Sequence, residues 1–182
     1  MSKLLKRALK ISLIPAILMI AGKAIGIIVP SMIYDLEFFI ENDIVGLTSI
    51  QILFTDSNIT LFVNSISNFT MVLFLAVPTL YFIIKTSIYQ TTLQNPKTLV
   101  KITKFNILKW ITKKDVTFLH IFIWTAFLSM ASIITIAHTL QGQTYNWVGV
   151  SAGVIALLSI WGTIKTFELE TDKIYPKENS YY

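Results

Sequence analysis

Residues 11–33 read ISLIPAILMIAGKAIGIIVPSMI, and a single charged side chain, Lys23, interrupts them. A helix rises 1.5 Å per residue, so this run is about 35 Å long, enough to cross a hydrocarbon core of about 30 Å. Residues 59–84, 116–139 and 147–166 have the same character. Hydrophobic residues make up 54% of the chain and charged residues only 14%, far from the balance of an ordinary soluble domain. The mean hydropathy of +0.66 agrees. The four runs use up the apolar residues, leaving no second core to build. The chain therefore reads as a single all-α membrane domain over residues 1–182, a polytopic protein with four transmembrane helices.

The charges fix an expected orientation. Lys3, Lys6, Arg7 and Lys10 precede the first run. Lys85, Lys97, Lys101, Lys104, Lys109, Lys113 and Lys114 fall at the end of the second run or within the loop 85–115. Lys165, Lys173 and Lys177 close the chain. The loop 34–58 holds Asp35, Glu37, Glu41, Asp43 and Asp56 and no base, and the connection 140–146 holds no charge. Bases accumulate on the cytoplasmic side of membrane proteins. Both termini, the loop 85–115 and the tail 167–182 are thus expected inside, and 34–58 outside. The net charge of +5 is accounted for by this topology, and nucleic acid is not an expected partner. The bias toward Ile, Lys, Asn and Phe points to an A·T-rich genome and so to a bacterial cytoplasmic membrane. The alternative of a cleaved signal peptide, cut near Gly22-Lys23-Ala24, is opposed by the apolar residues that continue through Val29. The absence of Cys excludes a disulfide framework, a thiol redox site and a lipoprotein anchor.

Between the spans, Leu36, Phe39, Ile40, Ile44, Leu47, Ile50 and Phe54 recur near helical spacing, which predicts an interfacial helix on the outer surface. Gln94-Asn95-Pro96 reads as a helix start, with Asn as cap and Pro at the first position. The basic faces that follow it suit a surface of anionic lipid. The short connection around Gly142 requires the last two spans to form an antiparallel pair.

Lys23 is the residue most in need of explanation. An ionised side chain inside a bilayer costs at least about 2.5 kcal/mol unless it is paired or hydrated. It is expected to face other helices, because Ser12, Ala16, Met19, Gly26 and Pro30 share its face. Polar stripes on the other spans offer it partners: Asn64, Ser67 and Asn68, then Thr125, Ser129, Ser132 and Thr135. Helical rise counted from the outer ends puts Asn68 and Ser129 near the depth of Lys23. The candidate intramembrane polar site is accordingly Lys23, Asn64, Asn68, Ser129 and Ser132. Gly149, Gly153 and Ala156 form a small-residue face for close helix packing. The same polar residues equally suit a purely structural role, satisfying one another across the bundle. No carboxylate lies within a span, so a proton relay or cation site of the Asp/Glu kind is not expected, whereas an anion suits a charged lysine.

His120 and His138 lie about 27 Å apart along one helix and cannot clamp one cofactor. No metal-ligand cluster, nucleophile elbow, phosphate-binding glycine loop or zinc-protease motif is present. The expectation is no enzyme, no metal and no cofactor. The leading reading is a non-enzymatic accessory or scaffolding subunit of a membrane complex, with the lipid bilayer and a membrane-protein partner or a second copy around it. The alternative is a small oligomeric channel or transporter for an anionic or polar solute. The four-span plan with an acidic outer loop also resembles that of immunity proteins against pore-forming bacteriocins. That architectural resemblance, which rests on no motif, implies a third reading, protection against a membrane-active toxin.

The topology is open to a direct test in this Cys-free chain. A Cys at Asp43 is expected to react with an impermeant thiol reagent on whole cells, and a Cys at Lys104 is not. Labelling at 104 alone would invert the orientation.

Overall fold

A computed structural model of the chain describes residues 3–41, 51–54, 56–94 and 117–174. Four long helices carry it: α1 (Lys3–Ile33), α2 (Ser57–Gln94), α3 (Thr117–Leu140) and α4 (Asn146–Ile174). Two short strands, β1 (Phe38–Glu41) and β2 (Gln51–Phe54), lie between α1 and α2. All four helices are long and apolar enough to cross a membrane. They contain the four runs expected from the sequence apart from Val116, which lies outside the described residues, and extend beyond most of their ends.

The expected outer helix is not what forms. Phe38 pairs with Phe54, Phe39 with Leu53, Ile40 with Ile52 and Glu41 with Gln51 in an antiparallel ladder. Phe-Phe-Ile and Ile-Leu-Phe runs are aromatic and branched, which suits a pleated ribbon. The apparent helical spacing came from combining apolar residues of two separate strands. Ile44, Leu47 and Ile50 of that expectation lie outside the described residues, as does the basic helix expected after Asn95-Pro96. The α2 helix does end at Gln94, immediately before that signal.

The ends of the helices are closed by local chemistry. Asp56 caps α2: its Oδ1 accepts from the Asn58 N–H at 3.0 Å, and its backbone carbonyl accepts from the Thr60 N–H at 3.0 Å. Asp35 takes a left-handed conformation after α1 (φ 49°), and the Leu36 N–H returns to the Ser31 carbonyl at 2.9 Å. The same device ends α3. Gly142 adopts φ 73°, and the Gln143 N–H donates to the His138 carbonyl at 2.9 Å. A Cβ at Gly142 would meet nothing, so conformation rather than space favours glycine there.

The core is a single apolar cluster. Met71, Val72, Leu75 and Ala76 of α2 pack with Trp124, Leu128 and Ala131 of α3 and Ala152 of α4. Leu18 and Met19 bring α1 against it. The α1–α2 contact is very close. A Cβ on Gly26 would lie 2.5 Å from the Ser67 Cα, and one on Gly22 would lie 3.0 Å from the Met71 Cα. The small-residue face of α4 is used unevenly. Gly149 abuts Thr139, whose Oγ1 would stand 2.6 Å from an added Cβ. Gly153 leaves ordinary room, with Ile136 Cδ1 at 3.7 Å, and Ala156 is buried. Thr125 and Thr163 join hydroxyls at 2.9 Å across the same α3–α4 pair.

These contacts fix the relative heights of the helices. Gly22 stands beside Met71 and Gly26 beside Ser67, so antiparallel counting puts Ile11 opposite Phe82. Phe82 stacks near Trp124 with ring centroids 5.7 Å apart, and Gly162 faces Ile83. Lys10, Lys85 and Lys165 therefore lie within about a turn of one level, a basic end to the bundle. At the opposite end the heights differ. The Tyr145 N–H donates to Ser65 Oγ at 2.9 Å, which sets the α3–α4 turn well below the start of α2. The last turns of α1 and the first of α2 run on past that turn by about 10 Å.

Substitution separates the two kinds of glycine. Gly26→Ala is expected to lower stability by about 1–3 kcal/mol, because backbone rather than a movable side chain opposes the new methyl group. Gly153→Ala is expected to change it by less than about 0.5 kcal/mol. Melting of both variants in one detergent checks the contrast.

Candidate functional site

The polar residues singled out in the sequence divide once the helices are placed. Most hydroxyls turn back on their own helix. Thr70, Thr79, Thr86, Ser129, Thr135 and Thr163 each donate to the carbonyl four residues earlier, at 2.6–2.9 Å. Such a bond satisfies a hydroxyl without any neighbour, so a stripe of Ser and Thr needs no shared layer. Ser129 is thereby occupied with Thr125. Ser132 is buried, and its Oγ has no hydrogen-bond partner; the same holds for Ser159. Asn64 lies half-buried on α2.

Three side chains do come together, on three different helices. Asn68 is 2% exposed, and its Nδ2 donates to His138 Nδ1 at 3.1 Å. Lys23, half-buried on α1, lies within electrostatic range of His138. Ser67, next to Asn68, donates from Oγ to the Lys23 backbone carbonyl at 2.8 Å, locking α1 to α2 at this level. The close approach at Gly26 lies one turn farther along α1. The expected partner of Lys23 and Asn68 at this depth was Ser129. The structure places His138 there instead, nine residues farther along α3. The reason is the uneven ends: counting from each helix's own terminus assumed that the termini were level. His138 carried no distinguishing sequence signal, since its position two residues from the end of α3 made it an interfacial residue in a flat membrane.

The same correction moves Lys23. It stands near the middle of α1, yet the contacts of Gly22 with Met71 and Gly26 with Ser67 put it opposite Thr70, while Ser65 carries the α3–α4 turn. Lys23 is thus within about a turn of the plane where α3 and α4 end. The residue lies between the apolar core and the end that bears the strands.

The Asn68 amide leaves one atom over. Its Oδ1 is buried and has no hydrogen-bond partner. Exchanging the amide O and N would give the oxygen to His138 and strand the nitrogen instead, so the shortfall persists in either placement. The second ring nitrogen of His138, Nε2, donates or accepts according to which amide atom faces Nδ1. The cluster thus offers a lysine, an imidazole nitrogen and one unmet amide atom.

Among the described residues no group of three or more His, Cys, Asp or Glu side chains stands ready for a metal ion. A recess of about 270 Å³ lies between α1 and α2 at the strand end, lined by Ile25, Gly26, Val29, Phe62 and Ile66, among others. Its walls are apolar apart from Tyr34 and Thr70, and the Thr70 hydroxyl is already bonded to Ile66. Comparison with protein-family models, with curated proteins and with solved structures finds no match to the chain.

The Asn68–His138 link is measurable by a double-mutant cycle with Asn68→Leu and His138→Phe. A coupling energy of about 0.6–1.7 kcal/mol is expected, the range for a hydrogen bond between membrane helices. Additive effects of the two substitutions on unfolding in detergent would show that the bond contributes nothing.

Proposed function

We infer that the protein is a non-enzymatic integral membrane subunit that works by binding another membrane protein, with the basic end of the bundle in the cytoplasm. The observation that carries this reading is the filled interior. Below the Lys23 cluster, Val72, Leu75, Trp124, Leu128, Ala131 and Ala152 close the centre of the bundle with side chains that are at most 4% exposed. A solute that reached Lys23 would meet a packed hydrocarbon floor. Conduction through one copy would need that floor to open.

The surface suits a docking role. In its most apolar stretch α1 is only 22% buried, against 44% for α2. It rests on α2 along one flank and presents Leu13, Ile14, Ile17, Ile20 and Ile28 outward. A helix held on one side is the natural place for a neighbour's helix to be added, because small and aliphatic surfaces pack in lipid by close contact. The orientation follows from the bases at one end, Lys10, Lys85 and Lys165, joined in sequence by the bases of the loop 85–115.

A photo-crosslinking residue at Ile17 tests the reading in native membranes. It is expected to give one discrete protein adduct, while the same residue at Leu157, exposed on α4, gives lipid adducts. Lipid adducts at both positions would remove the basis for a partner on α1. Anion flux in liposomes that disappears in Lys23→Met would instead assign the protein to the channel class.

A further inference from the structure

Among the described residues no carboxylate pairs with Lys23, whereas Lys165 pairs with Glu168 at the basic end. No Asp or Glu occurs in residues 11–33, 59–84, 116–139 or 147–166. A second copy of the chain therefore brings no carboxylate to this depth from its spans. Asp35 and Asp56, at the strand end, stand about 15 Å or more beyond the Lys23 level by helical rise. A cation left unpaired among apolar helices is costly, and a carboxylate from elsewhere relieves that cost.

The neighbouring groups define what fits. Lys23 and His138 stand within about a turn of one level, each tied to one of the adjacent α2 residues Ser67 and Asn68, and α1 packs against α3. An ammonium group only donates, and the acceptor that also cancels its charge is a carboxylate. Asn68, only 2% exposed, keeps one amide atom unmet at this level. On either side the exposed surface is apolar: Ile17 and Ile20 on α1, Met130 and Ile133 on α3. A small soluble anion would be set among hydrocarbon there. A carboxylate carried by a helix keeps its surroundings apolar.

We propose that Lys23 and His138 receive the carboxylate of an Asp or Glu borne by a transmembrane helix of a partner protein, laid along the exposed face of α1. This rests on the reading of the protein as a membrane-protein-binding subunit and specifies its partner: a span with one acid about a turn inside the end that meets the strand side. The Ser67 bond to the Lys23 carbonyl and the close contact at Gly26 fix the height of the Lys23 backbone, so the partner's acid must come within reach of its four-carbon stem.

The test uses the full chain in phosphatidylcholine vesicles, with a donor dye on a Cys introduced at the exposed Gln141. The probes are two acceptor-labelled, Leu-rich transmembrane peptides. One carries a single Asp a turn inside its end, and the other carries Leu at that place. Energy transfer is expected to show the Asp peptide binding about tenfold tighter, the ratio given by one good cross-helix hydrogen bond. Lys23→Met is expected to abolish the difference and Lys23→Arg to keep it. Equal binding of the two peptides to the unaltered protein overturns the proposal without any variant. So does an Asp advantage that survives Lys23→Met, or one that excess acetate outside the vesicles removes, which would assign the site to soluble anions. A discrete crosslink at Ile17 together with equal peptide binding would discard the ion pair and leave the partnership standing.

Discussion

The approach of α1 to α2 is the constraint on which the rest of the bundle depends. Gly22 and Gly26 let the two backbones come close enough that Ser67 reaches the carbonyl of Lys23. In hydrocarbon there is no water to drive helices together, so contact distance itself supplies the attraction. One methyl group at Gly26 would collide with backbone. The register set there is transmitted along two rigid rods. It decides that Ile11 stands opposite Phe82 at one end, and that Lys23 stands level with the Asn68–His138 pair near the other. The lysine's surroundings are in this sense a consequence of two glycines that touch none of them.

A second consequence concerns how polarity is managed. The helices contain many hydroxyls, and nearly all are satisfied within a turn of where they arise. Thr79 and Thr135, fully buried, need only the carbonyls of Leu75 and Ala131. The amide of Asn68 cannot do this, because its longer head carries both donors and acceptors. It therefore reaches to another helix and still leaves an atom over. Polar residues in a membrane interior are thus not equivalent evidence of a site. Hydroxyls report local bonding, while amides, imidazoles and ammonium groups report what the helices around them must supply.

Much of this was legible in the residues. Four apolar runs gave four helices, and Gly142 marked the turn between the last two. The small face of α4 at Gly149 was likewise visible as a pattern. What escaped was anything that depended on relative height. The pairing of Asn68 with His138 follows from an offset between helix pairs, and no helix carries that offset in its own sequence. The strands at Phe38–Glu41 and Gln51–Phe54 escaped for a related reason. Periodicity read across a turn joins residues that belong to different elements. Orientation remains a reading of the charges, since the bundle packs identically either way up.

The unequal heights have a consequence of their own. Ile28, Val29, Met32 and Ile33 continue the apolar surface of α1 past the plane where α3 and α4 turn back. A bilayer that wets all of it must be thicker along the α1–α2 side than along the α3–α4 side, or the bundle must lean until the two sides agree. The lipid collar around such a shape cannot be uniform. The bundle is a wedge in the dimension that matters to a membrane. In a bilayer its resting position would follow the thickness of the hydrocarbon, and a helix packed on the tall side would relieve a deformation that lipid alone would otherwise bear.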